Sequence, residues 1–132
     1  MLVDTSVWSL AYRRTTVEPN RWTQELAALI RSRRAFLIGA IRQELLSGIR
    51  DSRQFEALRL TLRGFPDVPM QKTDYEGGAE FSNRCRARGI QGSHVDFLVC
   101  AVAVRRSMPI FSADQDFEVF EQLLPIKLHE TR

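Results

Sequence analysis

The chain has 132 residues, 44% of them hydrophobic, and a net charge of +3, which predicts a single domain over 1–132 with one sizeable core. Its longest apolar run, 97–104, is far shorter than the roughly 20 residues that span a membrane, and no signal peptide is visible. Cys85 and Cys100 fit neither a disulfide framework nor a paired metal motif, so we expect free thiols and a cytoplasmic location. Seventeen of the 19 basic residues are arginines, which permits nucleic-acid binding without requiring it.

The first half of the chain alternates short apolar runs with amphipathic segments. The runs at 1–3 and 35–38 are long enough for buried strands but not for helices. Apolar side chains at helical spacing follow each run. The helices predicted in this half are 7–12, one that starts at Pro19, 40–49 and 52–62.

The second half repeats this alternation and adds two capping signals. Thr73 and Glu76 have capping-box spacing, which predicts a helix from there to about Arg88. Ser93 is predicted to cap a helix over 94–106, which is apolar on nearly all sides and therefore central. The remaining elements are strands at 109–111 and 126–128 and a helix over 114–123.

Short strands that alternate with helices indicate an α/β domain with a mainly parallel central sheet flanked by helices. In such sheets, ligands bind beyond the carboxyl ends of the strands. Asp4 follows the first predicted strand and Asp114 follows the strand at 109–111. We therefore expect these two acids to share one edge of the sheet.

Four acidic residues are candidates for a metal site, although each also has an ordinary structural explanation. Asp4 suits a helix cap, Asp96 suits the acidic half of a capping box with Ser93, and Asp114 suits a cap or turn. Glu44 suits a solvated helix position. These structural roles stay open for every one of the four residues.

Two of the acids are expected to lie in partly buried surroundings. The helical neighbours of Glu44 are Ala40, Ile41 and Gly48, which predicts an inward-facing carboxylate, and Asp96 begins the apolar helix. Buried carboxylates that converge repel one another, and a divalent cation relieves that repulsion. Oxygen ligands without a histidine or cysteine cluster select Mg²⁺ or Mn²⁺.

Several other residues have weaker claims to a role. Ser6 could hydrogen-bond a carboxylate or a phosphate, and its alternative is local capping. His94 lies two residues before Asp96 and could border the site, whereas His129 is expected on the surface without a partner. Arginines at 84, 86, 88, 105 and 106 could contact an RNA backbone or simply be solvated.

In combination, four segments resemble the PIN domain family, and within it the VapC-like toxins of bacterial toxin-antitoxin pairs. Their order and spacing make the resemblance fairly specific, and it spans nearly the whole chain. The segments are Val3-Asp4-Thr5-Ser6-Val7-Trp8, Gln43-Glu44-Leu45-Leu46-Ser47-Gly48, His94-Val95-Asp96-Phe97-Leu98-Val99-Cys100-Ala101 and Phe111-Ser112-Ala113-Asp114-Gln115-Asp116-Phe117.

The resemblance implies a three-layer α/β/α fold, Mg²⁺-dependent endoribonuclease activity, a homodimer and a small VapB-like antitoxin whose C-terminal segment covers the active site. It places the acidic quartet of the family on Asp4, Glu44, Asp96 and Asp114. Its small hydroxyl position corresponds to Ser6, and a frequent accessory acid corresponds to Asp116.

The resulting hypothesis is hydrolysis of RNA phosphodiester bonds by a metal-activated water. Phosphoryl transfer through an aspartyl-phosphate at Asp4 would also suit an acid at a strand end, but that chemistry usually has a second aspartate where Ser6 stands. The same sequence features would also suit a housekeeping PIN nuclease, or a non-catalytic module that binds RNA or protein.

Overall fold

The computed structural model describes residues 1–13 and 18–131, which are mostly helical. The two strands of this part are β1 (Leu2–Val3) and β2 (Ile110–Phe111). No helix in the described ranges is both long enough and apolar enough to cross a membrane. The helices are α1 (Thr5–Tyr12), α2 (Arg21–Arg31), α3 (Gly39–Leu46), α4 (Ser52–Leu62), α5 (Lys72–Arg86), α6 (His94–Arg106) and α7 (Asp116–Leu123).

The strands form a small parallel sheet that isolated bridges extend on both sides. β1 pairs with β2 in parallel, with Leu2 opposite Ile110 and Val3 opposite Phe111. The predicted strands at 35–38 and 126–128 form only isolated bridges, two in the first segment and one in the second. One of the two pairs Leu37 with Asp67, a partner that the apolar pattern did not indicate. Every bridge between described residues is parallel, so the predicted parallel sheet is confirmed. The bridges are Leu2 to Phe36, Leu37 to Asp67 and Ile110 to Leu128.

The core lies around the sheet and α6. Both residues of each strand are at most 1% exposed, and α6 buries six consecutive or near-consecutive residues between Phe97 and Ala103. Helix α6 is therefore central, as its apolar sequence predicts. The indole N–H of the fully buried Trp8 donates to the Val3 carbonyl at 3.0 Å, so α1 is fixed to β1 by packing and by a hydrogen bond. Burial of one large apolar side chain contributes about 1.5 to 3 kcal/mol.

The predicted helix boundaries need five corrections, the first of which is that α1 begins at Thr5 rather than at 7. Helix α2 is capped by Asn20 rather than starting at Pro19, and α7 begins at Asp116 rather than 114. Helix α3 ends at Leu46 because Ser47 is extended and Gly48 has a φ of +85°. The expected capping box of α5 at Thr73 and Glu76 is wrong, since the helix begins at Lys72 and Asp74 accepts a hydrogen bond from the Gln71 backbone.

His129 is not the surface residue that its sequence position predicts, although its buried Nε2 makes no hydrogen bond among the described residues. It is half-buried, its ring meets Phe111 edge-on with centroids 5.5 Å apart, and its Nε2 lies 3.6 Å from a carboxylate oxygen of Glu25. Leu128 continues the sheet beside β2, so the C-terminal segment is packed against that strand.

Gly92, in the loop that leads into α6, lies against two aromatic rings. A Cβ at this position would come within 2.7 Å of Cζ of Phe120 and 3.0 Å of Cζ of Phe97. We expect Gly92→Ala to lower the free energy of unfolding by about 1 to 3 kcal/mol, since both rings must move. Chemical denaturation measures this.

Gly39→Ala is the matched control, because a Cβ at Gly39 would meet no atom within 4 Å. It should leave the free energy of unfolding within about 0.5 kcal/mol of the original value. Equal stability of the two variants would contradict the close packing of the loop before α6.

Candidate active site

Asp4 lies at the carboxyl end of β1 and is only 4% exposed. Its side chain caps α1, as Oδ2 accepts hydrogen bonds from the Ser6 backbone N–H at 3.3 Å and the Ser6 hydroxyl at 2.9 Å. The Ser112 hydroxyl donates to the same oxygen at 3.0 Å. Burial raises the pKa of Asp4, and these hydrogen bonds oppose that shift.

Two serines connect the ends of the neighbouring strands. The Ala113 backbone N–H donates to Ser6 Oγ at 2.9 Å, and the Asp114 backbone N–H donates to Ser112 Oγ at 3.0 Å. The two hydroxyl oxygens are 3.2 Å apart. Because β1 and β2 are parallel, their carboxyl ends meet, and Asp4 and Asp114 flank one hydrogen-bonded network at that edge.

Asp96 reaches this edge from the first turn of α6. Its carboxylate accepts from the Ser93 backbone N–H at 3.0 Å, and its own N–H donates to Ser93 Oγ at 3.1 Å. Burial above all raises the pKa of Asp96 to about 6, the negative charges of Asp4 and Asp114 add to that rise, and the Ser93 hydrogen bonds oppose it. Asp96 therefore lies close enough to Asp4 and to Asp114 for their charges to repel its own.

Glu44 is exposed, so the expectation that it faces inward is wrong. Helix α3 buries Ile41 and Leu45, and Glu44 lies to one side of that buried face. Its carboxylate nonetheless points toward the same edge, since Oε1 accepts a hydrogen bond from the Thr5 hydroxyl at 2.5 Å. Thr5 directly follows Asp4.

The remaining candidates are on the exposed side of the site. Asp114 Oδ1 accepts from the Asp116 backbone N–H at 2.9 Å, which is the turn role that its sequence position also suits. Asp116 is exposed as the first residue of α7, and His94 is exposed as the first residue of α6.

A family model described as the PIN domain matches residues 1–123. The chain belongs to the PIN domain family. Among curated proteins, it is similar to VapC ribonuclease Mb1587 of Mycobacterium bovis and to ribonuclease VapC11 of Mycobacterium tuberculosis. Each is 29% identical over 129 residues, which cover 93% of this chain and 92% of the relative.

Solved structures share the fold at low sequence identity. A structure of FitAcB from Neisseria gonorrhoeae has a TM-score of 0.75 at 18% identity and covers 98% of this chain and 96% of that one. A structure of VapBC2 from Rickettsia felis, bound to a DNA fragment from their promoter, has a TM-score of 0.74 at 12% identity. It covers 99% of this chain and 98% of that one.

The acidic edge of this PIN domain fits a hard divalent cation. Its four acids take part in none of the ion pairs between described residues. Burial disfavours the charged forms of Asp4 and Asp96, and no such ion pair offsets this effect. As placed, the described side chains form no group of three or more histidines, cysteines or acids around one ion position. Mg²⁺ keeps several waters and is commonly held by one or two carboxylates, so it does not need such a group.

Sequence reasoning did not select Thr5 or Ser112, although both contact a candidate acid. Ser112 stands two residues before Asp114, and Ser6 stands two residues after Asp4. A hydroxyl at this spacing beyond each of two parallel strands is the signal that would have identified Ser112.

The raised pKa of Asp96 predicts how the stability of the metal-free PIN domain depends on pH. The pKa of this carboxyl is about 6 in the folded chain and about 4 in the unfolded chain, so the folded state binds more protons between those values. Its contribution to stability is therefore present below about pH 4 and is lost as the pH rises through about 6.

Asp96→Asn removes the charge and keeps an oxygen that can accept from the Ser93 N–H. In EDTA, the difference in the free energy of unfolding between the variant and the original chain should increase in favour of the variant from about pH 4.5 to about pH 7.5. We expect a gain of about 1 to 2 kcal/mol, after allowance for solvent screening of a half-buried group. Urea denaturation at both pH values measures it, and a difference that does not change with pH would contradict the assignment.

Proposed function

We propose that this PIN domain is a Mg²⁺-dependent endoribonuclease and the toxin of a VapBC-type toxin-antitoxin pair. The observation that carries the proposal is the convergence of Asp4, Asp96 and Asp114 at one sheet edge, where burial and mutual repulsion raise the pKa of Asp96. The similarity to relatives named as VapC ribonucleases supports RNA as the substrate.

The roles proposed for the acids follow from how each one is held. Asp4 is fixed by Ser6 and Ser112, and Asp96 is fixed by Ser93, so these two are the main ligands of the cation. Asp114 and Glu44 are exposed and would hold the ion directly or through water, or orient the attacking water.

When bound, a divalent cation lowers the pKa of a water molecule and offsets negative charge on the phosphate. The protein supplies the fixed carboxylates that place this charge at the sheet edge. Ser6 holds Asp4 in one orientation by a hydrogen bond of 2.9 Å, and Thr5 holds Glu44 in the same way. Asp116 is exposed beside Asp114 and is an accessory candidate.

Metal dependence is the first test of the nuclease proposal. Purified protein is incubated with structured RNAs in Mg²⁺, in Mn²⁺ and in EDTA, and new RNA ends are detected on sequencing gels. We expect cleavage with either metal, a loss of cleavage in EDTA and its return when Mg²⁺ is added in excess. Cleavage that persists in EDTA would exclude this mechanism, and RNA binding without new ends would favour a non-catalytic module.

The proposed partners are a small VapB-like antitoxin and a second copy of the chain. The structural relatives are named FitAcB and VapBC2, which supports a toxin role in a paired system. Expression in a bacterial host tests this role: we expect growth arrest that Asp4→Ala relieves. Harmless high expression of an active enzyme would instead indicate a housekeeping nuclease. The cytoplasmic location stays a prediction.

A further inference from the structure

We propose that Ser112 is a positioning residue of the metal site: its hydroxyl joins Asp4 to the loop of Asp114, so that both carboxylates can bind one divalent cation. The inference rests on the proposed function and adds a residue to which the family resemblance assigns no role. Ser112 directly follows β2, stands two residues before Asp114 and is half-buried.

The single proton of the Ser112 hydroxyl has two possible acceptors. Asp4 Oδ2 lies 3.0 Å from Ser112 Oγ, and Ser6 Oγ lies 3.2 Å from it. The carboxylate is the stronger acceptor because it is charged, and it is also the nearer one. Ser6 donates its own proton to the same Asp4 oxygen at 2.9 Å. Both hydroxyl protons are therefore directed at Asp4, and both serine oxygens remain free to accept.

The oxygen of Ser112 is used at the same time as its proton. It accepts the Asp114 backbone N–H at 3.0 Å, while Asp114 Oδ1 accepts the Asp116 backbone N–H at 2.9 Å. The backbone and the side chain of Asp114 are thus both held in place. Because one hydroxyl accepts from the loop after β2 and donates to the acid after β1, it fixes the two acids relative to each other.

These contacts leave one oxygen of each acid for a cation. On Asp4, Oδ2 accepts from Ser6 and Ser112, whereas no described side chain donates to Oδ1. On Asp114, Oδ1 accepts the Asp116 N–H, and none of the described side chains donates to Oδ2. Hydrogen bonds to one oxygen orient a carboxylate that binds metal through the other. We therefore expect Oδ1 of Asp4 and Oδ2 of Asp114 to be the binding atoms.

A local turn explains only half of the contacts of Ser112. A serine oxygen often accepts the N–H two residues later, as it does here from Asp114. That turn does not determine where the hydroxyl proton goes. The proton is donated across 108 positions to Asp4, which is 4% exposed, and a buried carboxylate is costly unless donors compensate it. The donation therefore indicates a role beyond the turn.

Binding of Mn²⁺ without RNA tests this role independently of catalysis. Electron paramagnetic resonance measures free Mn²⁺ while the original chain and its variants are titrated. We expect Ser112→Ala to bind Mn²⁺ about tenfold more weakly, the lower end of what loss of an orienting partner costs in metal sites. Ser112→Thr keeps the hydroxyl and should restore the affinity to within about twofold of the original.

The dependence of cleavage on Mg²⁺ separates positioning from direct participation in catalysis. For Ser112→Ala, the Mg²⁺ concentration that gives half the maximal rate should rise about tenfold. The rate at saturating Mg²⁺ should stay within about threefold of the original, because all four acids are still present. A residue that acted directly on the reacting atoms would lower the saturated rate instead.

Ser32→Ala is the matched control, because it also removes a serine hydroxyl that forms hydrogen bonds. The Ser32 hydroxyl donates to the carbonyls of Ala28 and Leu29 at 3.1 and 3.2 Å, at the C-terminal end of α2. The control should leave the Mn²⁺ affinity and the Mg²⁺ requirement unchanged. A Ser112→Ala variant that binds Mn²⁺ as tightly as Ser32→Ala would overturn the proposal.

A double variant tests the connection to Asp114. If Ser112 acts through this acid as well as through Asp4, Asp114→Asn should cost less Mn²⁺ affinity in the Ser112→Ala background than in the original chain. Losses that simply add would overturn the joint role.

The inference and the proposed function fail in different ways. If Ser112→Ala weakens Mn²⁺ binding but the original chain does not cleave RNA, the positioning role stands and the nuclease proposal fails. If the original chain cleaves RNA and Ser112→Ala keeps both its Mn²⁺ affinity and its Mg²⁺ requirement, the nuclease proposal stands and this inference is wrong. An original chain that binds no Mn²⁺ would overturn both.

Discussion

Asp96→Asn should slow RNA cleavage about a thousandfold while the protein remains folded. The substitution removes one negative charge from the edge where burial and two other acids already raise the pKa of this carboxyl to about 6. Because the asparagine oxygen can still accept from the Ser93 N–H, the cap of α6 is retained. Initial rates of cleavage of one labelled RNA at saturating Mg²⁺ measure the effect.

The other acids should follow a graded order that reflects how they are held. Asp4→Asn should match Asp96→Asn, since Asp4 is buried and receives three hydrogen bonds. Glu44→Gln and Asp114→Asn should lower the rate about ten- to a hundredfold, because both carboxylates are exposed.

Glu80→Gln is the control for these substitutions, as it neutralises an exposed acid on α5. It should leave the cleavage rate unchanged. An Asp96→Asn variant that is as active as Glu80→Gln would sink the proposed mechanism. One that is inactive yet more stable than the original chain near neutral pH would show that Asp96 serves catalysis at a cost to the fold.

Local signals in the sequence were sufficient for α6 but not for the start of α5. Ser93 and Asp96 satisfy each other's backbone groups within four residues, so their spacing alone predicts the cap. At the start of α5, two pairs of residues have the same spacing, Gln71 with Asp74 and Thr73 with Glu76. The structure forms the pair that contains Asp74. Arg105, which is 31 residues away in sequence, binds the Asp74 carboxylate, and no local pattern contains that contact.

The strands show a similar limit. Apolar runs located all the segments that pair around β1 and β2, except the bridge of Asp67. The apolar runs could not predict the lengths of the strands, because the length of a ladder also depends on the partner strand. The ladder here pairs only two residues, Leu2 and Val3, with their partners in β2. The parallel direction was predictable because strands and helices alternate along the chain.

For the site, the sequence predicted which acids gather but not how they are oriented. The sharing of one edge by Asp4 and Asp114 follows from parallel strands that end beside each other. The exposure of Glu44 does not follow, because apolar neighbours on a helix define the buried face only to within about one residue step. The hydrogen bond from Ser112 to Asp4 spans 108 positions, so the position of Ser112 before Asp114 indicates a candidate hydroxyl but not the acid that it contacts.

Asp74→Ala should lower the free energy of unfolding by about 3 kcal/mol or more. Asp74 is 2% exposed, and both of its oxygens accept hydrogen bonds from Arg105, at 2.7 and 2.9 Å. Burial raises the pKa of Asp74, but the hydrogen bonds from Arg105 and Gln71 and the charge of Arg105 outweigh it, so the net pKa is lowered. The contribution of this group is therefore present above about pH 4 and is lost as the pH falls through its folded pKa. Urea denaturation near pH 7 measures the effect of the substitution.

Asp67→Ala is the matched control, because Asp67 pairs with Arg42 but its side chain is 44% exposed. It should cost no more than about 1 kcal/mol, and equal losses for the two variants would contradict a special role for the buried pair. Adding Arg105→Met to Asp74→Ala should recover part of the stability, since it removes the cation left without its partner.

Arg105 lies nine residues beyond Asp96, about 13 Å along the axis of α6. Below its unfolding temperature, the Asp74→Ala variant should therefore cleave RNA at nearly the original rate, whereas the more stable Asp96→Asn should not.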